Sequence, residues 1–359
     1  MARRFAAPDL PSLNRAARRL PLRGMHDAEA TDTLPHILIG ASAGGVYALL
    51  ELAAALPPAF PAPILVVQHI GAHRSQLAEL LSDRGPNRAV VAADGQQPEA
   101  GTIYLAPPDH HMLVKQGLIR LTRGPKEHHA RPAIDPLFRS AALDLGPRAV
   151  GVILTGMLDD GSAGLQAIQQ CGGITVVQDP ADAYEPGMPR AALAATEVDH
   201  IVSLAALPRL LLALAKPMTV PAATVAPHAL QKEHALSSGM LTMDDLKTIA
   251  RPSSFSCPDC GGVLFELDNR KPVRFRCHTG HAFGLMSLAA MLEDVTDFAL
   301  WAALRALREK EAVLRRLAAS EGGHDSPLGA DWLAEADELG PAIAAMYKVL
   351  LRTAEAPAR

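Results

Sequence analysis

His36-Ile37-Leu38-Ile39-Gly40-Ala41-Ser42-Ala43-Gly44-Gly45 is a short apolar run ending in a serine among glycines, and an apolar helical pattern follows from Val46 to Leu56. The pattern predicts a strand, a tight turn and a helix. Gly44 and Gly45 permit backbone angles and close approaches that a Cβ forbids, so the serine can sit on a sharp turn with its hydroxyl exposed. The helix opening there aims free N–H groups and the positive end of its dipole at any negative charge that develops beside Ser42. Such a turn suits a nucleophile. Dinucleotide binding fits less well, because the middle glycine of that fingerprint is absent and the next strand, Ile64-Leu65-Val66-Val67, ends in Gln68-His69 instead of a ribose-binding acid. A helix-capping serine stays open on this stretch alone.

The chain has 359 residues, 49% of them hydrophobic, enough for one large domain with an appendage or for two domains. A net charge of −4 argues against a general nucleic-acid binder. No apolar run is long enough to span a bilayer and no signal segment opens the chain, so a cytoplasmic protein without membrane insertion is expected. Cys257, Cys260 and Cys277 cluster while Cys171 stands alone in a predicted helix, which is no disulfide framework. Residues 1–33, with Arg3, Arg4, Arg15, Arg18, Arg19 and Arg23 among prolines and alanines, read as a disordered basic arm, and Met25 is an alternative start.

Residues 34–215 alternate strand and helix patterns. Strands are expected near 36–40, 63–68, 88–92, 149–154, 174–178 and 199–202, with helices near 44–56, 74–83, 135–145, 162–171, 189–195 and 204–215. This is an α/β pattern, a doubly wound and mostly parallel sheet covered on both faces. Between them, Gly101–Ala106, His111–Val114 and Leu118–Leu121 read as a small antiparallel insertion. Ligands of such sheets bind beyond the carboxyl ends of the strands. Ser42, His69 and the pair Asp159-Asp160 each follow directly on a predicted strand, which delivers a hydroxyl, an imidazole and a carboxylate to one edge. Those are the three groups of serine hydrolysis: the imidazole takes the hydroxyl proton, and the carboxylate holds the imidazole in one tautomer and steadies its cation.

Gly40–Gly45, Val67–Ile70, Leu105–His111, Arg131–Ala142, Leu154–Gly161 and Gly187–Ala192, in this order, resemble the motifs of the CheB chemotaxis methylesterase catalytic domain. The resemblance covers about half the chain. It implies a protein-glutamate methylesterase, of a family whose members can also deamidate glutamine, that needs no cofactor for catalysis, with Ser42 as nucleophile, His69 as base and Asp160 as the acid that orients it. It further implies an oxyanion site at the backbone amide of Met157, with Ala43 the neighbouring backbone donor, and methylated chemoreceptor cytoplasmic domains or similar proteins as partners. Two positions depart from the pattern: Ala43 stands where a hydroxyl residue is common, and Leu158 where a glycine is common. The family often carries an N-terminal receiver domain, which the weakly patterned residues before the first strand do not supply, so control by phosphorylation in cis is not expected. Gly40-x-Ser42-x-Gly44 also matches the elbow of α/β-hydrolases, which would make His200 the base of a generic esterase. The upstream oxyanion segment of that fold is absent, so His69 is preferred.

Residues 216–243 turn to Pro, Ala, Thr and Ser and read as a linker. Residues 244–284 then hold Cys257-x-x-Cys260, a hairpin pattern from Val263 to Arg276, and Cys277-His278-Thr279-Gly280-His281. Two close ligand pairs joined by a hairpin suit a structural zinc in a small zinc-ribbon-like module, with Cys257, Cys260, Cys277 and His281 as ligands and His278 the alternative to His281. Residues 285–359 carry Leu300, Trp301, Leu304, Leu307 and Leu314 at helical spacing and read as a helical hairpin packed on that module. The module is expected to dock on or gate the enzyme. A zinc-bearing scaffold with a vestigial esterase domain is the alternative from a different functional class; no aromatic and basic stripe supports nucleic-acid binding.

Overall fold

The computed structural model describes residues 34–71, 75–217, 226–237, 243–268 and 271–354; the basic arm expected at 1–33 lies outside them. The first half runs β1 (His36–Ala41), α1 (Gly45–Ala55), β2 (Ile64–Gln68), α2 (Leu77–Arg84), β3 (Arg88–Val91), β4 (Thr102–Leu105), β5 (His111–Lys115), β6 (Leu118–Thr122), α3 (Ile134–Leu145), β7 (Ala149–Ile153), α4 (Ser162–Gln170), β8 (Ile174–Gln178), α5 (Gly187–Ala195), β9 (His200–Val202) and α6 (Leu207–Leu214). Seven strands form one parallel sheet in the order β3-β4-β2-β1-β7-β8-β9. Alternate residues of β1 go to opposite layers. Ile37 and Ile39 pack with Leu49 and Leu52 of α1, while Leu38 packs with Phe138 of α3 and Leu165 of α4. Burial on both faces is why the central strands read as unbroken apolar runs.

One expectation needs correction. Gly101–Ala106 does not belong to the antiparallel insertion; its Thr102–Leu105 is β4, parallel to both β3 and β2 inside the main sheet. Ile103 and Leu105 face one core layer and Tyr104 the other, so the segment is a doubly buried strand that its glycine-led entry disguised as a hairpin arm. The insertion is the β5–β6 hairpin alone.

The second half runs α7 (His228–Ser237), α8 (Met243–Leu246), β10 (Ala250–Ser256), β11 (Val263–Leu267), β12 (Arg274–Cys277), β13 (Ala282–Gly284), α9 (Leu285–Ser320) and α10 (Pro327–Ala354). The expected hairpin is β11 and β12, widened by β10 and β13 into a four-stranded antiparallel sheet. The two long helices pair, with Trp301 edge-on to Tyr347 at 6.5 Å and Arg308 over the Tyr347 ring. The stretch expected as a linker contains α7, whose Glu233 is buried.

Glu233 belongs to a charge cluster that joins both halves. Arg139 of α3 and Arg276 of β12 donate to Glu127 at 2.6 and 3.1 Å, and Arg274 donates to Glu233 at 2.5 Å. Arg276 and Arg139 also approach Glu233, at 3.4 and 3.5 Å. Burial works to raise the Glu233 carboxyl, but Arg274, Arg139 and Arg276 outweigh it and hold it down to about 2. Removing one partner of a buried pair strands the other charge. Glu233→Ala is therefore expected to cost about 3–5 kcal/mol in urea unfolding. Glu311→Ala, on the surface of α9, is expected to stay within about 0.5 kcal/mol of wild type.

Candidate active site

The chain leaves β1 for β2 and β4 on one side and returns to β7 on the other. A sheet that reverses in this way opens a crevice beyond the carboxyl ends of the two strands. Ser42 follows β1, His69 follows β2 and Asp160 lies in the turn after β7, so all three reach that crevice.

Several backbone contacts fix the serine. Its N–H donates to the Thr155 carbonyl at 3.0 Å, and the Gln68 side-chain amide donates to the carbonyls of Ser42 and His69 at 2.9 and 3.0 Å. Gly44 caps α1 with φ +77° and no side-chain hydrogen bond, so Ser42 does not serve as the cap. A Cβ at Gly45 would stand 2.1 Å from Gln68 Oε1, which shows why a second glycine follows. Ser42 Oγ lies 3.0 Å from His69 Nδ1, and His69 Nε2 lies 2.7 Å from Asp160 Oδ2. The hydroxyl donates to the ring and the ring donates to the carboxylate. The ring runs opposite to that of chymotrypsin-type proteases, where Nε2 meets the serine.

Asp160 is fully engaged. Its Oδ2 also accepts the Ile134 N–H at 2.7 Å, and its Oδ1 accepts the N–H groups of Asp135 and Gly161 at 3.0 and 2.8 Å. Two of those donors open α3, where free amides and the helix dipole favour an anion. Burial pushes the carboxyl up, but His128, His69 and the Ile134 amide prevail and hold it at about 2. It is an anion at neutral pH.

The neighbouring acid points elsewhere. Asp159 accepts the N–H groups of Met286 and Ser287, at 3.0 and 3.1 Å, and the Ser287 hydroxyl, so it holds the first turn of α9. A Cβ at Gly284 would lie 2.1 Å from Asp159 Oδ2, and only a glycine lets the chain enter the helix there.

Among the described residues no hydrogen bond is made by the backbone N–H of Ala43 or of Met157. A Cβ on Gly156, just before Met157, would stand 2.8 Å from the Ser42 Cβ and 2.1 Å from Met188 Sδ, so this turn is pressed against the serine. Leu158 takes φ +64°, the left-handed conformation that explains why glycine suits its position. His200 opens the edge strand β9, beyond β8, and among the described residues forms no hydrogen bond or ion pair with Asp160. The fold thus joins Asp160 to His69, and His200 to neither Ser42 nor Asp160. Gln68 and His128 were not singled out from sequence; Gln68 stood beside His69 in the motif, and His128 carried no signal.

The donor atoms of Cys257, Cys260, Cys277 and His281 all lie within 4.8 Å of one another. Cys260 Sγ is 3.7 Å from Cys277 Sγ, and His281 Nδ1 is 3.7 and 3.6 Å from Cys257 Sγ and Cys277 Sγ. Ligands about 2.3 Å from a tetrahedral zinc stand about 3.8 Å apart, so the set fits that ion. His281, not His278, joins the three sulfurs.

The family model for CheB methylesterase matches residues 37–211. A protein-glutamate methylesterase/protein-glutamine glutaminase 2 of Anaeromyxobacter dehalogenans is 41% identical over 176 residues, which cover 49% of this chain and 52% of that protein. The protein-glutamate methylesterase FrzG of Myxococcus xanthus is 40% identical over 177 residues, 49% of this chain and 53% of its own length. A Leptospira interrogans protein, provisionally named for the same pair of activities, is 39% identical over 170 residues, 47% of this chain and 88% of its own length. Among solved structures, the Thermotoga maritima CheB methylesterase catalytic domain is 30% identical and is covered to 99%, across 51% of this chain, with a TM-score of 0.49. The chain spans about half the length of the Anaeromyxobacter and Myxococcus relatives. The Cys/His group and α7 to α10 lie outside the family match.

Proposed function

This chain belongs to the CheB methylesterase family, and on that premise we propose that it hydrolyses glutamyl methyl esters on chemoreceptor-like proteins through an acyl-serine, and deamidates glutamine at the same site. The observation that carries this reading is the unbroken hydrogen-bond chain from Ser42 through His69 to a buried, anionic Asp160. Ser42 Oγ attacks the ester carbonyl while His69 Nδ1 takes its proton, and Asp160 steadies the imidazolium through Nε2. The tetrahedral oxyanion falls to the amides of Ala43 and Met157, where losing one such donor costs about a hundred- to a thousandfold in rate. Collapse breaks the bond to the methoxy oxygen, which takes the proton from His69 and leaves as methanol. Water then gives a proton to His69 and attacks the glutamyl-serine ester, and His69 passes that proton to Ser42 Oγ as its bond to the acyl carbon breaks, releasing glutamate and restoring the serine. With glutamine the leaving group is ammonia. Exposed Met157 and Tyr184 lie beside the serine turn and offer apolar surface to a substrate.

We assign Cys257, Cys260, Cys277 and His281 to one structural zinc, whose place is to tie the turn between β10 and β11 to the turn between β12 and β13.

Release of methanol from a methylated receptor cytoplasmic fragment is expected with the wild type and lost with Ser42→Ala. Equal release by both would remove the serine from the chemistry. Elemental analysis of the purified protein is expected to find about one zinc per chain and a sharp loss in Cys277→Ser; a metal-free wild type with an intact fold would refute the zinc assignment.

A further inference from the structure

His128 occupies an unusual position between the two halves of the molecule. Its side chain is 6% exposed and its backbone is left-handed, at φ +52°. Nε2 donates to Asp135 Oδ2 at 2.9 Å and lies 3.6 Å from Asp160 Oδ1; Nδ1 donates to Ser287 Oγ at 2.7 Å and lies 3.4 Å from Asp159 Oδ1. The ring thus touches α3 through Asp135, the acid turn through Asp159 and Asp160, and α9 through Ser287. Burial disfavours its charge, yet Asp160, Asp135 and Asp159 together hold it as an imidazolium, its pKa well above the usual histidine range.

The segment bearing His128 is itself stitched to the C-terminal module. Its N–H donates to the Ala282 carbonyl at 2.7 Å, and the Ala282 N–H donates to the Lys126 carbonyl at 3.3 Å. The adjacent His129 bonds Asp259, between Cys257 and Cys260, at 2.6 Å. Strand β13 then leads from the candidate metal ligand His281 straight into the start of α9 and Ser287. Contacts therefore run without a break from the Cys/His group to Ser287, His128, Asp160, His69 and Ser42.

We propose that the C-terminal module completes the esterase site, with Ser287 and His128 as positioning residues: Ser287 orients the His128 ring, and His128 fixes the Asp160 carboxylate that orients His69. This rests on the serine-esterase reading above. The physical argument is one of competition for a carboxylate. Asp135 and Ser287 hold the His128 ring by its two nitrogens, just outside hydrogen-bond distance of Asp160, close enough to fix the charge and too far to capture it. Without Ser287 the ring loses one anchor and can swing onto Asp160, drawing the carboxylate from His69. An error of about 1 Å in such geometry costs on the order of a hundredfold in rate. In this way a module beyond the family match sets how many molecules have an active serine.

The test measures covalent labelling of Ser42 by a fluorophosphonate on the full chain, with thermal unfolding followed in parallel. Labelling of the serine needs no natural substrate. Ser287→Ala and His128→Gln are expected to slow the labelling step roughly 10- to 100-fold at unchanged probe affinity, and Ser287→Thr, which keeps the hydroxyl, to restore it. Folded Ser287→Ala that labels at the wild-type rate would overturn the proposal, and it decides the matter even where His128→Gln fails to fold. A wild type that labels on Ser42 yet releases no methanol would sink the substrate class and leave the proposal to be judged on these rates. A wild type that does not label would overturn both.

Discussion

Two adjacent buried acids, Asp159 and Asp160, carry opposite duties in one turn, and the rest of the molecule is arranged about that division. Asp160 turns toward the crevice at the carboxyl edge of the sheet, where the first amides of α3 hold it and it accepts from His69. Asp159 turns away and takes the first amides of α9. Each carboxylate stays charged despite burial because a helix N-terminus and the same His128 oppose the cost of desolvation. The turn thus ties the reacting edge of the family domain to a module that lies beyond the family match.

That tie is backed by a second, deeper junction. Arg139 comes from α3, whose amino end binds Asp160, and it meets Glu127, Glu233 and Arg276 in a cluster closed to solvent. Ions in such a place add little net stability, because their desolvation offsets most of their attraction, but loss of one partner strands the others. The cluster fixes how α7 and β12 sit on α3. A shift of the module would move the segment from Glu127 to Arg131, and His128 with it.

The sequence made the sheet legible because parallel strands buried on both faces read as apolar runs, and because such strands bring their carboxyl ends to one edge. Ser42 and His69 could be placed there from strand ends alone. The choice of Asp160 over Asp159 could not, since it depends on the turn of one residue pair and came through the family resemblance. β4 was misread because a glycine-led, four-residue strand beside a hairpin looks like part of it. The buried role of α7 was hidden for a physical reason: apart from Leu230, it meets the fold through an ionised Glu233, which any hydropathy pattern assigns to solvent. His128 and Ser287 lie 159 residues apart and meet only through the docking of the module.

The most direct test of this division of labour compares Asp159→Asn with Asp160→Asn by amide hydrogen exchange at the start of α9, alongside ester hydrolysis. The account predicts that Asp160→Asn loses about four orders of magnitude in rate while the amides of Met286 and Ser287 stay protected. Asp159→Asn should deprotect those amides and keep far more of the rate. Full activity in Asp160→Asn, or unchanged protection of α9 in Asp159→Asn, would contradict it.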